Sequence, residues 1–175
     1  LAEVRNPERL ISMQISYLEG YDQLGLNAMP NLLLAAAICR NEALEDQPLA
    51  LNLKHLSFLE TNRPPSLATL PSLKQLKLRG NEYWFSKSTT EGPELRALRV
   101  SVPDQEALEQ LVSHPSCKSL INLDLNAPRL KDLSALAKLP HLKVLKVGVP
   151  YADRDFVLDL ATLPKLEYLF LNSFS

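Results

Sequence analysis

The frame Leu-x-x-Leu-x-Leu, returning every 20 to 25 residues, is the feature that most constrains what this 175-residue chain can fold into. Its clear copies are Leu53-Leu56-Phe58, Leu73-Leu76-Leu78, Leu95-Leu98-Val100, Leu120-Leu123-Leu125, Leu142-Leu145-Val147 and Leu166-Leu169-Leu171. Two looser copies precede them, Leu10-Met13-Ile15 and Leu32-Ala35-Ala37. One such frame in a leucine-rich chain means little. Eight in succession mean a stack, because a unit this small cannot bury its own leucines and must share them with its neighbours.

The stretch LKDLSALAKLPHLKVLKVGVP, residues 130–150, shows what one unit contains. Its leucines fall three apart, at 130, 133, 136, 139, 142 and 145. An α-helix turns about 100° per residue, so a strict spacing of three slips the stripe about 60° at each step. Pro140 would also remove a backbone donor from a continuous helix. Beyond it, Leu145-x-Val147 has the alternation of a strand. The unit therefore reads as a short helical segment, a proline stop and a short strand.

These frames resemble the leucine-rich repeat family over nearly the whole chain. LKDLSALAKLPHLKVLKV, PPSLATLPSLKQLKLRGN (64–81) and FVLDLATLPKLEYLFLN (156–172) are similar to internalin-like repeats of about 22 residues. The resemblance implies an α/β solenoid, with a curved parallel sheet on its concave face and short helices and irregular segments on its convex face. Residues 1–175 would form a single domain of about eight repeats, either whole or a piece of a longer protein. Eight strands would make a face roughly 35–40 Å long. The family usually carries a turn asparagine beyond the last strand leucine. Asn81 matches it, but Arg40, Thr61, Pro103, Pro128 and Pro150 stand at the equivalent offset, so those turns are closed by other means.

Two segments depart from the pattern. NEYWFSKSTTEGP (81–93) replaces a helical segment with a polar loop bearing Tyr83, Trp84 and Phe85, which either plug the gap or form an exposed lip. In VPDQEALEQLVSHPSC, Asp104 is placed to cap a short helix running through Leu111. The last frame ends four residues before the chain does, so either more protein follows or that end packs on a partner. Ile11, Leu33, Leu34 and Ile38 toward one end, and Tyr168 and Phe170 toward the other, would point outward and could meet a flanking domain or a second subunit.

Composition excludes several roles. Aromatics supply only 6% of residues, so aliphatic side chains must fill the core. The longest apolar run, Leu32 to Cys39, is too short to cross a bilayer, and no membrane insertion is expected. The first residues, LAEVRNPERL, form no apolar signal core. The default expectation is a cytoplasmic protein, with secretion or delivery into a host cell as the alternative, and the repeat style leans bacterial. Cys39 and Cys117 lack metal-ligand spacing and read as two separate reduced thiols.

His55, His114 and His141 stand alone, and no phosphate loop, nucleophile elbow or paired-carboxylate motif is present. No catalytic residue, cofactor site or metal site is assigned, and the chain reads as a non-enzyme. The informative positions are the second, third, fifth, seventh and eighth of each frame, which face outward on the strands. They hold eight of the 19 Lys and Arg: Lys54, Lys74, Lys77, Arg79, Arg96, Arg99, Lys143 and Lys146. They hold three of the 20 Asp and Glu: Glu60, Asp124 and Glu167. The concave face should thus be positive and the remainder negative, a separation that the net charge of −1 hides.

That face suits a protein partner with an acidic surface, anchored by Arg79, Arg96 and Arg99. Asp124 would orient a neighbouring lysine or accept a basic residue of the partner, and Trp84 would add an aromatic anchor. The plain alternative is that these charges only solubilise a sheet. A second alternative is a polyanion or nucleic acid on the same strip, against which stands the lack of aromatics interleaved with the basic residues. A third is a substrate-selecting domain for an enzyme whose catalytic part lies outside this chain. A small-molecule substrate is not expected on an open face.

Overall fold

The computed structural model describes residues 12–16, 34–39, 56–61, 66–79, 92–150 and 158–174. Eight strands form one sheet: β1 (Ser12–Ser16), β2 (Leu34–Cys39), β3 (Leu56–Thr61), β4 (Gln75–Leu78), β5 (Ala97–Ser101), β6 (Asn122–Asn126), β7 (Val144–Pro150) and β8 (Tyr168–Phe174). They lie in chain order, and every neighbouring pair is parallel. Among the described residues, short helical segments on the other layer connect strands from β3 onward, so the architecture is α/β. Helix α1 (Gln105–Ser113) is joined by 3₁₀ turns at Leu67–Thr69, Pro115–Cys117, Ser134–Lys138 and Leu160–Thr162.

The three-residue beat of the leucines finds its cause in those turns. A 3₁₀-helix has three residues per turn, so side chains three apart stack on one face. Accordingly Leu70 N–H donates to the Leu67 carbonyl, and Leu73 N–H to that of Leu70. Leu136, Leu139 and Leu142 each donate to the leucine three before, as do Leu163 and Leu166. The spacing that defeats an α-helix thus suits this one. Pro71, Pro140 and Pro164 follow the last turn in each copy and direct the chain back to the sheet.

The core lies between sheet and turns. Strand side chains Leu59, Leu76, Leu98, Leu123 and Leu145 line up in register and are buried, as are Leu78, Val100, Leu125 and Val147 two residues on. Leu67, Leu70, Leu130, Leu133, Leu136 and Leu139 close the core from the turn side, together with Leu108, Leu111 and Val112 of α1. Gly92 is required by close approach. A Cβ built there would stand 2.6 Å from Leu67 Cβ and 2.9 Å from Ser116 Oγ.

Local capping replaces the sparse turn asparagines. Asp104 accepts from the Ala107 N–H at 2.9 Å and begins α1, which runs two residues past the expected Leu111. Asp132 accepts from the Ser134 N–H at 2.8 Å, which holds its carboxyl below the usual aspartate range. Asp159 likewise accepts from the Ala161 N–H at 2.9 Å.

The third repeat corrects the sequence reading. Leu59, not Leu56, pairs with Leu76, and Phe58 is aligned with Gln75 on the outer face. The frame there is Leu56-Leu59-Thr61, displaced by three residues from Leu53-Leu56-Phe58. A register shift opposite Ala35 and Ala36 inserts Ser57 and absorbs the change. Thr61, at the last inward position, is fully buried.

The last strand is the other irregularity. Leu169 and Leu171 occupy inward positions, yet are 36% and 51% exposed, whereas their equivalents in β4 to β7 are buried. Tyr168 and Phe170 are exposed on the outer face, as the sequence suggested.

Candidate functional site

Parallel register turns the outward positions into rows that cross the strands, with steps of about 4.8 Å. The fifth frame position gives Glu60, Lys77, Arg99, Asp124, Lys146 and Phe170, one from each of β3 to β8. The second gives Ser57, Lys74, Arg96, Ile121, Lys143 and Glu167, a row tied by its own backbone: each N–H donates to the preceding member's carbonyl.

Most of the charges on these rows are partnered. Glu60, only 5% exposed, receives Lys77 Nζ at 3.0 Å and Arg79 Nε at 2.8 Å on its two oxygens. Arg99 Nε lies 3.4 Å from Asp124 Oδ2. Lys143 donates to Glu167 at 2.6 Å, a bond that holds its ammonium above the usual lysine range. Arg96 lies 3.8 Å from Glu94. Lys146 sits 5.4 Å from the centroid of the Phe170 ring, where the ring's quadrupole attracts it.

Of the anticipated residues, Lys74, Lys77, Arg79, Arg96, Arg99, Asp124, Lys143 and Lys146 are thus brought onto one face. Lys54 and Trp84, with Tyr83 and Phe85, lie outside the described residues. Asp124 engages Arg99 rather than a lysine. Sequence reasoning missed the weight of Glu60, whose row position depends on the corrected frame. It also missed Glu94, which precedes its frame, and Phe170 as the seat of Lys146.

The result is a face with seven cations and four carboxylates, mixed in sign rather than uniformly positive. The exposed pairs, those of Arg96, Arg99 and Lys143, are screened by solvent and contribute little stability. Their effect is to fix where each charge is presented. A shallow depression elsewhere, lined by Leu67, Ala68, Pro71, Gly92 and Pro93, has no titratable side chain. Among the described residues no cluster of His, Cys, Asp and Glu is placed to hold a metal, and no helix is long and apolar enough to cross a membrane. Cys117 is a free thiol in the core, and burial pushes its pKa up. No protein-family model matches the chain, and no curated protein matches it.

Proposed function

We propose that this chain is a leucine-rich repeat solenoid acting as a non-catalytic protein-binding module. Its partner presents an acidic surface to the outer, concave face of the sheet. The observation that carries this reading is the placement of seven cations on and beside β4, β5 and β7, on one face of the sheet. Lys74 and Lys146 have no acidic partner among the described residues, and Glu60 neutralises only one of its two cations. A net positive charge therefore remains for an acidic partner to meet.

The interleaved Asp124 and Glu167 disfavour a polyanion, whose evenly spaced phosphates would meet a carboxylate on β6 and again beside β8. Reversing Lys77 or Arg79 would crowd a second carboxylate against buried Glu60, so the test uses Lys74→Glu, Arg96→Glu and Lys146→Glu together. The immobilised chain should capture a protein that the triple variant loses, with unchanged circular dichroism in the variant. Equal capture by both would return the face to a solubilising role. Capture abolished by nuclease would favour the polyanion.

A further inference from the structure

The proposed function leaves open what kind of acidic segment the face accepts, and the fifth-position row narrows it. From Lys77, the row presents Arg99, Asp124 and Lys146 at about 4.8, 9.6 and 14.4 Å. A helix laid along the row offers residues i+3, i+7 and i+10 at about 4.5, 10.5 and 15.0 Å from i, each within about 1 Å of a row position. Those four residues also fall within an arc of about 80°, on one side of the helix. An extended segment cannot keep step. Its same-side residues come about 6.7 Å apart and are out by about 4 Å at the second position.

We infer that the row reads a helical segment of the partner carrying acid, acid, base and acid at i, i+3, i+7 and i+10, in either chain direction. The inference rests on the proposed protein-binding role. Glu60 lies one step before Lys77 and is nearly buried under its own two cations, so the segment need offer nothing there. At the centre, Arg99 and Asp124 already pair. An acid over Arg99 and a base over Asp124 extend that pair into a square of alternating charges. A uniformly acidic segment instead sets like charges together at Asp124. Such contacts add little affinity singly, but they discriminate, roughly two- to fivefold per mismatched position.

The test displays 16-residue alanine-rich helices on phage, with Glu, Lys or Gln at those four positions, and selects them on the immobilised chain. The expected winners carry Glu-Glu-Lys-Glu, or Glu-Lys-Glu-Glu for the reverse direction. With Asp124→Asn the preference for lysine opposite that position should disappear. Enrichment of the all-glutamate quartet would overturn the charge order while leaving an acid-binding face intact. Absence of any enrichment would overturn the helical reading alone, and enrichment unaltered by Lys74→Glu, Arg96→Glu and Lys146→Glu would overturn both readings.

Discussion

Truncating the same inward position in two repeats should have unequal costs. Leu123 and Leu169 share one register row, two strands apart. Leu123 is fully buried, so Leu123→Ala removes all its transfer free energy and leaves a closed cavity, for a loss of about 3–4 kcal/mol. Leu169 retains 36% of its exposure. The transfer contribution falls to about two-thirds, and a gap at an open end fills with water rather than standing empty. Leu169→Ala should therefore cost about 1–2 kcal/mol. Urea unfolding followed by circular dichroism measures both. With a shared m-value, the midpoint of Leu123→Ala should fall about twice as far. Equal losses would refute the reasoning, because they would mean that the outer side of β8 is covered in solution.

Gly92→Ala should destabilise by about 1–3 kcal/mol in the same assay, since Leu67 and the Ser116 hydroxyl must both give way. Asp104→Ala removes the cap of α1 and should cost about 1 kcal/mol, read as a lower thermal midpoint, with Asp104→Ser recovering most of it. Cys117 supplies a pH dependence. Its thiol is raised by burial from an ordinary 9.0, so the folded state keeps a proton that the unfolded chain releases. Its contribution is complete below about pH 9 and declines by about 1.4 kcal/mol per unit above it. Cys117→Ala should lack that slope between pH 9 and 10.5; parallel pH curves for the two proteins would contradict it.

The repeats that were legible in the sequence are those whose frames cannot be misplaced. From Leu73 onward each copy holds one leucine triplet, or two with a terminal valine, and the structure pairs Leu76, Leu98, Leu123, Leu145 and Leu169 as the spacing implies. The third repeat was not legible because LNLKHLSFLET contains two overlapping frames. Hydrophobicity favours the one ending in Phe58, while the fold uses the one ending in Thr61. The number of leucines could not decide between them. The helical segments show a related limit: spacing by three was visible, but it speaks of turn geometry only once 3₁₀ is weighed beside α. For the face, alternation alone found nearly every charged residue. Pairing could not be read, because Glu60 meets Lys77 and Arg79 across 17 and 19 residues of chain.

Sequential strand order has a mechanical consequence. Each strand is bonded only to its chain neighbours, so a pull on the two ends loads the stack one interface at a time, as a peel rather than a shear. Force spectroscopy should then give a sawtooth in which each step frees one repeat. A repeat of about 22 residues would lengthen the chain by about 75 Å. The first step should come at β8, whose inward Leu169 and Leu171 are 36% and 51% exposed. The later steps should come from the centre, where α1 leans on the Ser134–Lys138 turn through the Glu109–Lys138 pair. Such a chain yields gradually, as a spring does.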